Sequence, residues 1–87
     1  MPRVIFTHPV NDVDHWASKH SERVEAFSAW GSNVVDYLSA DGSKNVGVSV
    51  DVHDMDAMKA SLMTAEMRAA KQAHGVLEPV SLFVENS

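Results

Sequence analysis

Histidine is the residue type best suited to chemistry in this chain, since five occur among 87 residues. An imidazole can act as a general acid or base near neutral pH, and it is also the commonest metal ligand in proteins. His15 and His20 are five residues apart, so on a helix their side chains point about 140° apart and cannot chelate one ion. The sequence also lacks the spacings H-x-x-x-H and H-E-x-x-H, so we expect no metal site.

His20 is the first candidate for a catalytic residue. Helical spacing places it on one apolar stripe with Trp16, Val24 and Phe27, facing the predicted sheet. Two interpretations stay open. The imidazole could be neutral and fill space between helix and sheet, or it could act as a general acid or base at a pocket wall.

His8 is the second candidate, because it ends a predicted strand and shares a face with Val4 and Phe6. If that face packs toward the helices, His8 can reach Trp16 or His20. The prediction is therefore a catalytic pair, His20 and His8, with Trp16 beside it as a ligand-binding residue.

Tyr37 and Met58 are the other predicted ligand-binding residues. The Tyr37 hydroxyl could orient a ligand, although strand tyrosines more often pack against a neighbouring strand. Met58 belongs to a flexible, methionine-rich helix surface that suits irregular ligands, but its spacing equally suits core filling.

Ser49 and Asp51 are predicted interface residues, since they are polar positions on a central strand. One interpretation of Asp51 is a hydrogen bond or ion pair across a subunit interface, for instance with Arg3. The other is a buried acid whose raised pKa would let it act as a general base.

Six elements position these residues. A strand at 4–8 precedes a helix that Asn11 can cap and Gly31 can end. Strands at 33–38 and 46–53 flank an Asp41-Gly42 turn, and the second of them alternates strictly. Asp54 can cap a second helix, which Thr64 can divide and Gly75 can end. Its predicted inner stripe is Met55, Met58, Leu62, Ala65, Ala69 and Ala73. A last strand follows at 80–84.

The order β-α-β-β-α-β predicts an α+β, ferredoxin-like fold with a four-stranded antiparallel sheet. Strands one and three are central, and both helices cover one face of the sheet. The opposite face would carry Ile5, Thr7, Ser49 and Phe83, together with Val34 and Leu38, and would be largely apolar. Because a small protein rarely leaves such a surface in water, we expect a homodimer.

Composition narrows the possible functions. Residues 1–87 are enough for one domain, and the absence of cysteine rules out disulfides and thiolate metal sites. Seven basic and twelve acidic residues give a net charge of −5, which disfavours nucleic-acid and membrane-surface partners. No apolar run approaches the length of a membrane span, and no signal peptide is evident, so we expect a cytoplasmic protein.

Three stretches resemble a known family. They are His8 with the segment 12–16; the segment 41–45 with the valine strand and Asp54; and the segment 65–76 with 79–83. They resemble the dimeric α+β-barrel superfamily, in which two such sheets form one barrel. The superfamily includes antibiotic-biosynthesis monooxygenases, muconolactone isomerases, polyketide cyclases and many small uncharacterised proteins, and the likeness is to this last group.

The resemblance implies a pocket between helices and sheet that takes a small apolar or aromatic molecule, without a cofactor. It implies a monooxygenase, cyclase or isomerase, but it supplies no complete catalytic set. The alternative is a non-catalytic dimer that binds a small ligand or has an accessory role. A pocket of about 300 Å³ or more, lined by His8 or His20, would favour the enzyme.

Overall fold

The structure, a computed structural model, describes residues 2–86. Its elements in chain order are β1 (Arg3–Pro9), α1 (Val13–Ser18), α2 (His20–Phe27), β2 (Gly31–Leu38), β3 (Asn45–Val52), α3 (Met55–Leu62), α4 (Ala65–Ala73) and β4 (Ser81–Val84). The strands form one antiparallel sheet in the order β2-β3-β1-β4. The ferredoxin-like topology predicted from the sequence is therefore confirmed, with β1 and β3 at the centre.

The core lies between the helices and one face of the sheet. The four alternating valines of β3 are all buried there, as their spacing predicts. From β1, Val4 and Phe6 point to the same side. The buried apolar residues are Val4, Phe6, Val10, Trp16, Phe27, Trp30, Val46, Val48, Val50, Val52 and Met58. None of the helices in the described part of the chain is long and apolar enough to cross a membrane.

The first predicted helix is two helices, and this changes which residues face the sheet. Asp12, not Asn11, caps α1 by accepting a hydrogen bond from the His15 backbone N–H. The chain then breaks at Lys19 before α2 begins. The break rotates the following residues, so Arg23 and Phe27 are the buried residues of α2. The predicted stripe through His20 and Val24 was wrong, since the His20 side chain is 43% exposed and Val24 is exposed too.

The second helical segment is divided as predicted, but the residues of its second half that face the core are not the predicted ones. The side chains of Asp54 and Thr64 cap α3 and α4. Met58 is buried, whereas the predicted inner residues of α4 (Ala65, Ala69 and Ala73) are exposed. Met67 packs against the core in their place.

Two glycines have conformational reasons to be glycine. Gly75 follows α4 with a φ of 75°, in the left-handed region that glycine favours. Gly31 does not end a helix as predicted, because α2 ends at Phe27 and Gly31 begins β2. A Cβ atom at Gly31 would lie 2.6 Å from Cγ2 of Val50, so only glycine lets β2 approach β3 this closely.

Because β2 contains a β-bulge, the residues on the outer face of the sheet differ from the predicted ones. Ser32 pairs with Asp51 and Val35 pairs with Ser49, so β2 holds one residue more than β3 between these pairs. The extra residue shifts the alternation by one. Val35 and Tyr37 therefore share the outer face with Ile5, Ser49 and Phe83, in place of Val34 and Leu38.

Candidate functional site

A cavity of about 600 Å³ lies between the sheet and the two helical segments. Its floor comes from β1, β3 and β4, and its walls come from α1 and α2 on one side and α3 and α4 on the other. Most of its surface is apolar. The principal apolar side chains are Phe6, Phe27, Val48, Leu62, Met67 and Leu82.

His8 lines this cavity and packs against Trp16, as the sequence predicts for this pair. The imidazole and indole rings meet edge to face, with centroids 6.0 Å apart. His8 is 8% exposed, and its Nδ1 atom lies 3.2 Å from the Pro9 carbonyl oxygen. Burial lowers the pKa of His8 below 6.5; the hydrogen bond to the Pro9 carbonyl opposes this shift, and the charges of Arg23 and Lys71 add to it. The neutral imidazole is therefore the dominant form at neutral pH.

Arg23 is the buried cation of the site, with 5% of its surface exposed. Its guanidinium carbon lies 4.0 Å from the centre of the Trp16 ring, in a cation–π contact. On the other side, Nε and Nη2 of Arg23 both donate hydrogen bonds to the Asp36 carboxylate, a two-point pairing. These contacts fix the guanidinium at the cavity wall, since Arg23 also lines the cavity.

His74 is the third polar group of the cavity wall, and it comes from the end of α4. It is 6% exposed, and its Nδ1 atom lies 3.4 Å from Nη1 of Arg23. Its Nε2 atom lies 3.9 Å from the Glu22 carboxylate. Burial lowers the pKa of His74 and the Arg23 charge lowers it further, while Glu22 opposes them. His74 is also neutral at neutral pH.

The exposed rim of the cavity carries both signs of charge. Glu22, Glu25 and Lys71 lie there beside the apolar walls. Asp36 balances Arg23 at the wall, so the site offers a fixed guanidinium without a large net charge. Among the described residues, no group of three or more histidine, aspartate or glutamate side chains is arranged to hold a metal ion.

Solved structures of other proteins match the fold of this chain along its whole length. A crystal structure of an antibiotic biosynthesis monooxygenase matches with a TM-score of 0.72 and 12% identity, over 100% of this chain and 98% of that one. SnoaB, a cofactor-independent oxygenase from Streptomyces nogalater, matches with a TM-score of 0.73 and 12% identity, over 99% and 93%. A protein from Pseudomonas aeruginosa matches with a TM-score of 0.64 and 13% identity, over 99% and 92%.

The chain has the ferredoxin-like α+β fold of these structures. This confirms the resemblance seen in the sequence at the level of the fold. No family profile and no curated protein matches the sequence.

The cavity brings together only part of the predicted site. His8 and Trp16 line it, whereas His20 lies outside the lining, with Nδ1 3.0 Å from Asp36 in a contact poorly aligned for a hydrogen bond. Met58 is buried in the core, and Tyr37 lies on the outer sheet face. The ligand-binding roles predicted for these last two residues have no support from the cavity.

Ser49 and Asp51 lie on the outer sheet face, as expected for interface residues. The Tyr37 hydroxyl and the Ser49 hydroxyl are 2.9 Å apart. Arg3 donates a hydrogen bond from Nε to Asp51 at 3.0 Å within the same chain, and this bond lowers the pKa of Asp51. The alternative of Asp51 as a base with a raised pKa was therefore wrong, and its interface role stays a prediction.

Arg23 and His74 are the functional candidates that the sequence reading missed. Each follows a helix break, at Lys19 and Thr64, and each lies on the buried face only because the stripe restarts there. The signal was present in the sequence. A stripe restarted at Thr64 runs through Met67 and Ala70 to His74, at helical spacing.

The two buried histidines predict a particular dependence of stability on pH. Their pKa values in the folded protein lie below the ordinary 6.5, so below about pH 6.5 the unfolded chain binds more protons. The free energy of unfolding should therefore fall as the pH drops below 6.5, by up to about 1.4 kcal/mol per pH unit for each histidine. Above that pH these groups should have no effect.

Urea unfolding at a series of pH values between about 5 and about 8 measures this slope. The double variant His8→Gln/His74→Gln should show a shallower slope over the same interval. Equal slopes in the two proteins would show that these imidazoles titrate as they do in the unfolded chain.

Proposed function

We propose that this protein is a cofactor-independent enzyme that removes a proton from a small apolar or aromatic molecule held in the cavity. One observation carries the proposal. Two buried, neutral imidazoles and a fixed guanidinium, from His8, His74 and Arg23, line an otherwise apolar cavity of about 600 Å³. That volume suits a molecule of two to four fused rings.

The proposed chemistry follows from these groups. A neutral imidazole with a lowered pKa can accept a proton from an acidic C–H or O–H group of the bound molecule. The resulting anion is stabilised by the Arg23 charge, which acts strongly in an apolar site and needs no reorganisation. An enolate or phenolate formed in this way is a common intermediate for oxygenation, cyclisation and isomerisation.

The structural relatives support the oxygenation branch of this proposal. SnoaB is described as a cofactor-independent oxygenase, and its fold covers nearly all of this chain. In that branch dioxygen is the second substrate and the electron-rich anion reduces it. For anthrone, a three-ring aromatic ketone, the balanced reaction is anthrone plus dioxygen giving anthraquinone plus water.

Anthrone therefore serves as the test substrate, in a buffer that contains a metal chelator. We expect the protein to accelerate both anthraquinone formation and oxygen uptake above the rate in buffer alone. The control for this assay is a histidine variant outside the site, His53→Gln. His53 contacts Ser32 and lies outside the cavity lining. This variant should retain the full rate.

Binding is measured separately, so that the alternative function has its own outcome. Trp16 lines the cavity and Trp30 does not, so a Trp30→Phe variant reports ligand binding through Trp16 fluorescence. If anthrone quenches Trp16 fluorescence but the protein accelerates neither oxidation nor proton exchange, the proposal of an enzyme is contradicted. That result would favour the non-catalytic ligand-binding protein.

We further propose that a second copy of the chain covers the outer face of the sheet, in a cytoplasmic homodimer. The support is the set of apolar side chains on this face, Ile5, Val35, Tyr37 and Phe83, with Phe83 57% exposed. Burial of such a surface stabilises a chain too short to form a large core of its own.

Phe83→Glu tests the dimer, because a charge placed in a buried apolar contact is costly. Light scattering should give about 19 kDa for the wild type, twice the 9.5 kDa chain, and the monomer mass for the variant. Met63→Glu is the control, since Met63 is 82% exposed and lies between α3 and α4. It should leave the mass unchanged. A wild type that is monomeric at every concentration would contradict the proposal.

A further inference from the structure

The two cavity histidines make different hydrogen bonds, and these bonds determine which ring nitrogen carries the proton. Nδ1 of His8 lies 3.2 Å from the Pro9 carbonyl oxygen. A carbonyl oxygen can only accept, so Nδ1 must carry the hydrogen and donate it. In the neutral ring the other nitrogen, Nε2, then holds a lone pair and can accept a proton.

His74 is held in the opposite way. Its Nδ1 atom lies 3.4 Å from Nη1 of Arg23, and a guanidinium can only donate. Nδ1 of His74 must therefore accept, which leaves the hydrogen of the neutral ring on Nε2. The Glu22 carboxylate, 3.9 Å from this atom, favours the same tautomer.

Arg23 is itself held firmly enough to impose this choice. Asp36 accepts hydrogen bonds from Nε and Nη2, and the guanidinium stacks on Trp16. The Nη1 group is left to face His74. Asp36 and Trp16 therefore position Arg23, and Arg23 orients His74.

We propose that the two histidines divide the chemistry of the site, with His8 as the general base and His74 as the hydrogen-bond donor to the anion that forms. This inference rests on the proposed function and assigns its proton-transfer roles. In the step, the proton of an acidic C–H or O–H group moves to Nε2 of His8. The electron pair stays on the substrate, whose oxygen then accepts a hydrogen bond from Nε2 of His74 beside the Arg23 charge.

The assignment also restricts the ligand. It must present an acidic hydrogen to one imidazole and an oxygen acceptor to the other, on a skeleton that fits between Phe6, Phe27, Leu62 and Leu82. A ketone or phenol without an acidic hydrogen in reach of His8 would bind without reacting.

The tautomers can be read directly on the wild-type protein. In ¹⁵N-labelled protein at neutral pH, long-range proton–nitrogen correlation spectra distinguish the protonated from the bare ring nitrogen. We expect the hydrogen on Nδ1 of His8 and on Nε2 of His74. The same tautomer at both positions, or the reverse pair, would overturn the inference.

The roles are tested by deuterium exchange from D₂O into 2-tetralone, an aromatic ketone with acidic hydrogens beside its carbonyl. His8→Gln should lower the exchange rate about 100-fold to 10,000-fold, since an amide cannot accept the proton. His74→Leu should lower it about 100-fold or more, because the donor to the anion is lost. His74→Gln, whose amide N–H can replace Nε2–H, should recover most of that loss.

These outcomes separate this inference from the proposed function. The expected tautomers without any exchange by the wild type would count against the proposed reaction. Exchange that survives in His8→Gln would overturn the division of roles while leaving the reaction in place.

Discussion

Replacement of Arg23 by leucine is expected to lower the free energy of unfolding by about 3–5 kcal/mol. The variant leaves the largely buried Asp36 carboxylate without the guanidinium that donates two hydrogen bonds to it. It also removes the cation from the face of Trp16. Because small domains are stable by only about 5–15 kcal/mol, the loss should be visible in urea unfolding.

The matched control for Arg23→Leu is the double variant Arg23→Leu/Asp36→Leu. It also removes the carboxylate that has lost its guanidinium partner, so it should be more stable than the single variant. A loss below about 1 kcal/mol for Arg23→Leu alone would be the value expected of an exposed ion pair. Such a result would contradict the buried, fixed guanidinium on which the site depends.

Replacement of Trp16 by alanine should be as damaging, with a loss of about 3–5 kcal/mol in the free energy of unfolding. Trp16 is fully buried and is the single buried residue of α1, all six residues of which the structure describes. It contacts both His8 and Arg23, so its loss also removes the support for the two polar groups.

Trp16→Phe is the conservative variant, because it keeps an aromatic face for the Arg23 guanidinium. It retains an aromatic ring and should recover most of the stability, since phenylalanine fills part of the same volume. Because this variant lacks the Trp16 fluorescence that reports binding, its affinity for 2-tetralone is measured by calorimetric titration. Full stability in Trp16→Ala would show that α1 does not depend on this side chain.

The sequence was sufficient for the topology because the signals for it are local. The strictly alternating valines of β3, the caps at Asp54 and Thr64, and the turn at Gly42 each specify one element without reference to the rest. Once the element order was known, crossover handedness left few arrangements of the sheet.

The errors came from assuming that a periodic pattern continues through an interruption. Lys19 interrupts the first helix, and the bulge after Ser32 interrupts β2. After each interruption the residues that face the core change, by part of a turn in a helix and by one residue in a strand. As a result, Arg23 and not the predicted His20 faces the core from the helix. In the sheet, Val35 and not the predicted Val34 lies on the outer face.

The polar interior of the site could not be predicted for a different reason. A buried arginine is uncommon, and here Asp36, Trp16 and His74 all contact it. Asp36 comes from β2 and Trp16 from α1, so the pairing depends on tertiary structure. His8 was predicted because its strand fixes its direction from neighbouring residues alone.

The most direct test of the proposed function is proton abstraction from a bound molecule, measured as deuterium incorporation into 2-tetralone by the wild-type protein. The reference is free imidazole at the same concentration as the two cavity histidines, His8 and His74. We predict exchange at least about 100-fold faster than this reference, with the rate falling as the pH drops below the lowered pKa of His8. Exchange no faster than free imidazole would contradict the proposal that the cavity is an active site.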